Sequence, residues 1–285
     1  MAKGHFEGWY YKHQTNDLSL AVIPGRSMAN AFVQVITNFC SYNIPYPLSA
    51  FHKGTALQVG DNTFTSSGIK LDIKHPNLAL SGEIRYSDLT PIRGDIMGPF
   101  RFFPMECRHG IASMKHRLRG SVTLNGEDHD LTGGTGYIES DSGRSFPCRY
   151  IWVQCNVFEL QTASDFSVMA SVARIPFYGS RFWGCICVVR LKGREYRLAT
   201  YNGVKILRCE PNCLDIKRGK HRLIVTIDET HGQSLAAPLS GAMDRVIHES
   251  LSCSACFRFT EGDQVLFDEQ SPYTSFEYSM GALDS

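Results

Sequence analysis

The chain has 285 residues, with 29 Lys and Arg against 28 Asp and Glu, for a formal net charge of +1. That length accommodates two domains or one large all-β unit, and so even a charge balance excludes the basic face of a nucleic-acid binder and the charged run of a solvating tail. The opening MAKGHFEGWYYKHQ carries no apolar signal core, and no run reaches the roughly 18 apolar residues of a membrane span, so a soluble, cytoplasmic protein is expected.

The N-terminal GHFEGWYYK sets Phe6, Trp9, Tyr10 and Tyr11 around Glu7 and Gly8. Aromatic residues at this position suit a first strand closing a core, and a Glu buried among them needs a partner. Short alternating or β-branched segments then recur between Gly, Asn, Asp and Pro signals, among them AFVQVIT, IKLDIKHPNLALSGEIRY, FSVMASVARI and HRLIVTID. They predict an antiparallel all-β protein. Gly beside a small polar residue marks hairpin turns at VGDNTF, LNGEDH, LKGREY and TEGDQV. Helical periodicity is weak throughout, and only SLAAPLSGAMDRVIHESL, interrupted by Pro238 and Gly241, admits a short helix. LTGGTG is a plausible joint, dividing the strands into an N-terminal half at 1–130 and a C-terminal half at 131–285, although no internal repeat is plain.

Along this chain, PMECRHGIASMKH offers Glu106, His109 and His116, a carboxylate and two imidazoles that suit metal binding, a proton relay or plain structural hydrogen bonds. GGTGYIESDSGRSFP follows. If extended, it places Tyr137, Glu139 and Asp141 on one face, where two carboxylates in a dry site raise the proton affinity of one of them; if not, Asp141, Ser142 and Gly143 make a turn. In FPCRYIWVQCNVF, period-two alternation gives Ile151, Val153, Cys155 and Val157 to a core and turns Trp152, Gln154, Asn156 and Phe158 to the other face. An indole and two amides suit the wall of a half-polar cavity better than open solvent. The ten cysteines read as reduced thiols and several as small core hydrophobes, while a thiolate metal site from Cys209, Cys213, Cys253 and Cys256 is disfavoured by strand-like flanks. No phosphate loop, dinucleotide fingerprint or serine-hydrolase elbow is present in the sequence.

Three stretches together resemble the tocopherol cyclase-like family: HFEGWYYK at 5–12, GYIESDSGRSFPCRYIWVQCNVFE at 136–159, and YNGV at 201–204 with LAAP at 235–238. Where the family usually has Trp before the Gly of the turn, this chain has Ser142. The resemblance implies two lipocalin-like antiparallel β-barrel or sandwich halves packed together, related to the carotenoid hydratase group. It also implies cyclisation of a prenylated quinol to a chromanol, with neither metal nor organic cofactor. Glu139 or Asp141 is then the expected proton donor, Trp152 lies beside the cation, and Tyr137, Gln154, Asn156, Glu7, Trp9 and His109 contribute to binding a small lipophilic ligand, an isoprenoid or prenylated phenol. Such a ligand implies transient contact with a membrane surface. The same residues equally suit a non-catalytic lipocalin-like carrier.

Overall fold

The computed structural model of the chain describes residues 4–158, 165–228 and 232–279. It divides into two compact units, one of residues 1–91, 109–145 and 235–246, the other of residues 92–108, 146–234 and 247–285. The described residues form two antiparallel sheets, and no α-helix is present among them. Among these residues no helix is therefore long and apolar enough to cross a membrane.

The first sheet comprises β1 (Phe6–Gln14), β2 (Ser19–Arg26), β3 (Ala31–Thr37), β4 (Ser41–Tyr46), β5 (Phe51–Lys53), β6 (Leu57–Val59), β7 (Asn62–Thr65), β8 (Gly68–His75), β9 (Leu78–Ser87), β10 (Cys107–Leu124), β11 (Glu127–Asp130) and β12 (Thr135–Gly143). Their order is β4-β3-β2-β1-β12-β10-β9-β8-β7-β6-β5, with β11 on β10. The second sheet comprises β13 (Tyr150–Cys155), β14 (Ser167–Phe177), β15 (Ser180–Leu191), β16 (Arg194–Arg197), β17 (Lys205–Glu210), β18 (Cys213–Arg218), β19 (His221–Ile227), β20 (Gln233–Leu239), β21 (Ala242–Glu261) and β22 (Gln264–Ser279). Its order is β16-β15-β14-β13-β22-β21-β19-β18-β17, with β20 on β21. One plan is thus used twice: in each sheet the first strand pairs with the last, β1 with β12 and β13 with β22.

The expected barrel closure is not found among the described residues, where each strand order runs open from end to end. At the free edges of the first sheet, β4 contains Pro45, which has no N–H to give a further strand, and β5 is only three residues long. Both are ordinary ways of blunting a sheet edge.

The four Gly turns link their strands through Gly60-Asp61, Asn125-Gly126, Lys192-Gly193 and Gly262-Asp263. The segment that admitted a helix is instead the β20–β21 hairpin. Ser240 and Gly241 both hold positive φ, 54° and 90°, the geometry of a tight two-residue turn that no helix accommodates.

Each sheet buries one face in its own core. In the first unit Val22, Val33, Val35, Phe64, Ile84 and Ile138 meet; in the second Ile151, Val153, Val189, Phe257 and Phe259 do so with Cys155, Cys187 and Cys253 as small fillers. Burial, and to a lesser degree a neighbouring thiol, pushes the Cys185 and Cys187 thiols up, which keeps them protonated and inert. Cys253 is buried while Cys256, three positions on along the same strand, is exposed, so the two do not converge.

Over β3 and β13 the opposite face is covered as well, whereas β8 and β9 leave theirs to solvent. In β3 every residue is buried, polar Gln34 included. Residues 235–246 account for part of this cover in the first unit: Gln34 Nε2 donates to Ala236 O at 3.0 Å, and Ala236 N donates to Gln34 Oε1 at 2.9 Å. At the hairpin tip Gly241 N donates to Arg144 O, Ser240 N to Ser145 Oγ, and Met28 N to Gly241 O.

Gln34→Ala removes both partners of the Ala236 backbone. The expected loss is about 1–3 kcal/mol in urea unfolding, with faster amide exchange at Ala236; an unchanged midpoint and unchanged exchange would show that this amide does not hold the hairpin.

Candidate functional site

Strand β12 runs between β1 and β10. Its register against β1 sets Lys12 opposite Tyr137, Tyr10 opposite Glu139 and Gly8 opposite Asp141. Because β12 continues through Gly143, which pairs with Phe6, the DSG segment is strand rather than turn. Ile138 points into the core, so alternation turns Tyr137, Glu139 and Asp141 to the other face.

On that face His109, from β10, lies between the two carboxylates. Its Nδ1 is 3.0 Å from Asp141 Oδ1 and its Nε2 is 3.2 Å from Glu139 Oε2. Glu139 Oε2 also accepts a 2.5 Å hydrogen bond from the Tyr137 hydroxyl. Tyr137 is fully buried, with the Tyr10 ring edge-on to it at 6.5 Å. The His109 and Glu139 side chains are only 10% and 6% exposed, whereas Asp141 is 22% exposed and forms the accessible end of the chain of contacts.

Desolvation by burial lowers the proton affinity of His109, but the negative charges of Glu139 and Asp141 and their hydrogen bonds outweigh it, and its pKa lies well above the ordinary imidazole value. His109 is therefore an imidazolium at neutral pH. The Tyr137 phenol is pushed well up, first by burial and then by the charge of Glu139, so it stays a proton donor. The expectation of two carboxylates pressing on one another is thus replaced by a cation set between them.

The same three residues bring one imidazole nitrogen and two carboxylate oxygens within 4.8 Å of one another, a donor set that a divalent cation accepts. As arranged, Nδ1 is hydrogen-bonded to Asp141, while Nε2 lies within ion-pair distance of Glu139 without the alignment of a hydrogen bond.

Glu7 and Trp9, on the same strand as Tyr10 and Lys12, fall on its other face and are not brought to His109. Glu7 meets Arg26 at 2.7 Å and Lys53 at 2.6 Å, the partners its burial demands. Lys53 sits 4.4 Å above the Trp9 ring, and Arg26 4.9 Å above Phe51. His116 is likewise separate. His13 Nδ1 donates to Leu20 O at 3.2 Å, leaving Nε2 to accept from the Tyr86 hydroxyl at 2.7 Å. His116 Nδ1 contacts Ser113 Oγ at 3.2 Å, and its Nε2 lies against Gly136, where an added Cβ would come within 2.1 Å.

In the second unit Trp152 and Gln154 are buried on the side of β13 away from its core, and Asn156 is buried just past its end; Phe158, expected with them, packs in the core instead, because the strand alternation stops at Cys155. Trp152 stands opposite Ser171 on one neighbouring strand and Glu277 on the other, and Glu277 stands opposite Glu249. Three buried residues were missed from sequence. Lys12 is 1% exposed, Glu249 3% and Glu277 7%. A charged residue type repeated at buried strand positions is the signal, but only strand pairing shows which neighbours it meets.

The chain belongs to the tocopherol cyclase-like family, whose model matches residues 96–279. No curated protein sequence matches it. Among solved structures, a protein described as AttH from Nitrosomonas europaea is similar at a TM-score of 0.56 and 14% identity, over 96% of this chain and 92% of that one. CghA is similar at a TM-score of 0.62 and 7% identity, over 100% and 91%, and CghA with Sch210972 at 0.60 and 8%, over 97% and 89%. At such identities the likeness is one of fold.

His13 and His116 are held neutral by burial, with pKa values lowered to about 4 and about 3. The unfolded chain takes up those protons near the ordinary value of 6.5, so stability falls as pH drops from about 6.5 towards about 4. His109 has the opposite sign: its contribution is fully present below about 6.5 and is lost only as pH rises through its raised value. Urea unfolding followed from about pH 7 to about pH 4 is expected to show this acid loss, flattened by about one proton in His116→Gln; a flat profile in the native chain would contradict it.

Proposed function

We propose that the protein binds a small lipophilic ligand of the isoprenoid or prenylated-phenol class and catalyses an acid-driven cyclisation of it, with the His109, Glu139 and Asp141 group supplying and recovering the proton. The observation that carries this reading is the buried His109 imidazolium set between two carboxylates, one of which also accepts from Tyr137. Family membership and the small molecule held by CghA, a relative in fold, agree with a ligand-binding role.

The reaction is an isomerisation. A proton adds to one carbon of the trisubstituted alkene, the other carbon becomes a tertiary cation, and the phenolic oxygen bonds to it. The phenol proton then returns to the carboxylate that gave the first. His109 stores the proton, and Glu139 or Asp141 delivers it. Tyr137 holds Glu139 in place, and Asp141 is the more accessible of the two. Water must be kept from the cation, which a buried acid favours. The second unit's own buried group, Trp152 with Gln154 and Asn156, suits a lipophilic ligand carrying a polar end.

The second reading is a carrier in which these groups only orient the ligand. It is favoured by Glu139 Oε2, which is already engaged by both Tyr137 and His109.

Glu139→Gln is expected to lower turnover of a prenylated quinol by about 10²-fold or more while ligand affinity changes little. Unchanged turnover would remove Glu139 from the proton path, and the same comparison with Asp141→Asn assigns the donor. A native protein that yields no chromanol, yet loses ligand affinity on Trp152→Ala, is a carrier.

A further inference from the structure

In the first unit, β5 and the turn after it, residues 51–56, contain no buried residue. They run between two fixed points. Ala50 O accepts from Gly60 N at 3.0 Å, and Leu57, at the start of β6, is buried in the core. β5 is an edge strand that pairs only with β6, over three residues. At the turn, a Cβ added to Gly54 would meet nothing within 4 Å, and a concavity of about 410 Å³ lies alongside, with Phe51, Lys53 and Gln58 in its lining. A stretch without buried side chains opens at a smaller free-energy cost than the core strands around it.

Two side chains hold this stretch down. Lys53 Nζ lies 2.6 Å from Glu7 Oε2 and 4.4 Å from the centre of the Trp9 ring. Phe51 stacks on Trp9 at 6.4 Å, and the Arg26 guanidinium is 4.9 Å from the centre of the Phe51 ring. Glu7 and Trp9 belong to β1 and Arg26 to β2, and neither strand is a neighbour of β5 in the sheet. These contacts therefore tie an edge to strands that the hydrogen-bond ladder does not join to it. The ion pair is also lopsided. The Glu7 side chain is 9% exposed and that of Lys53 52%, so the cation sits at the open end of the pair, where salt screens it. Glu7 meets Arg26 as well, at 2.7 Å, so Lys53 can leave without stranding a buried carboxylate.

We propose that residues 51–56 form a flap over the Glu7 and Trp9 end of the first unit, hinged at Ala50 and Leu57 and latched by Lys53. Closed, the flap lays Phe51 on Trp9 and Lys53 on Glu7. Open, it uncovers the indole beside the Glu7 and Arg26 pair, an apolar face with one polar end. Such a face suits the lipophilic ligand proposed above, but the flap does not rest on that reading, and its test contains no ligand and no turnover.

The test is hydrogen exchange followed by mass spectrometry on the purified full chain, at low and high salt. Amides of residues 51–56 are expected to exchange faster than those of β1 to β3, and faster still at high salt. Lys53→Met keeps an apolar stem over Trp9 and removes the charge. It is expected to speed exchange in this segment about three- to tenfold, to leave β1 to β3 unchanged and to abolish the salt effect. Lys53→Arg should restore both. Phe51→Ala should speed the same segment and keep its salt dependence, which separates the ring from the ion pair. Protection of 51–56 equal to that of β1 to β3 overturns the proposal. So does exchange that Lys53→Met leaves unchanged or raises equally across the unit, since Lys53 would then be a surface contact or a general prop of the core. Salt dependence that persists without the Lys53 charge overturns the latch.

Discussion

A buried imidazolium between two carboxylates is the interaction on which the functional face of the first unit depends. His109 is hydrogen-bonded to Asp141 through Nδ1 and stands at ion-pair distance from Glu139 through Nε2, so its charge faces both carboxylates. Neither carboxylate is then an isolated buried charge, an arrangement far costlier than a paired one. Tyr137 completes the set by donating to the Glu139 oxygen that also faces His109. Removing the imidazole would leave two acidic groups two positions apart on one strand face. The same features that settle charge in the fold place a proton on a group with a base at either side, and a carboxylate at the more open end.

Strand order makes this possible. β12 is flanked by β1 and β10, so residues from three separated parts of the chain meet on one face while the reverse face seals the core. The second sheet repeats the plan with β22 between β13 and β21, and there Trp152, Glu277 and Glu249 occupy one face of the corresponding strands. Both sheets therefore carry an acidic group on the middle one of three corresponding strands, β12 and β22, although the sequences of the halves show no plain repeat. The chemistry differs: a basic ring stands between the acids in the first, while an indole and two facing carboxylates occupy the second.

What could be read without coordinates was local. Period-two alternation put Tyr137, Glu139 and Asp141 together and separated Trp152 from Ile151, because strand geometry fixes these relations within one segment. Gly beside a polar residue located four hairpins for the same reason. Pairing between distant segments was not legible. His109 is 32 residues from Asp141, and only the adjacency of β10 and β12 joins them. Glu7 and Trp9 neighbour Tyr10 and Lys12 in sequence, yet the alternation of β1 sends them to Arg26 and Lys53. The helix reading of 234–251 failed because one tight turn at Ser240-Gly241, and the pairing of β20 with β21, outweigh a weak local preference.

The most direct measurement is the ionisation of His109 by nitrogen-resolved NMR of its ring, assigned through His109→Gln and followed across pH. Both ring nitrogens are predicted to stay protonated at about pH 8, well above the range where an unperturbed imidazole has lost its proton. A neutral ring there, with a midpoint at or below about 6.5, would contradict the central claim and leave Glu139 and Asp141 without the cation between them.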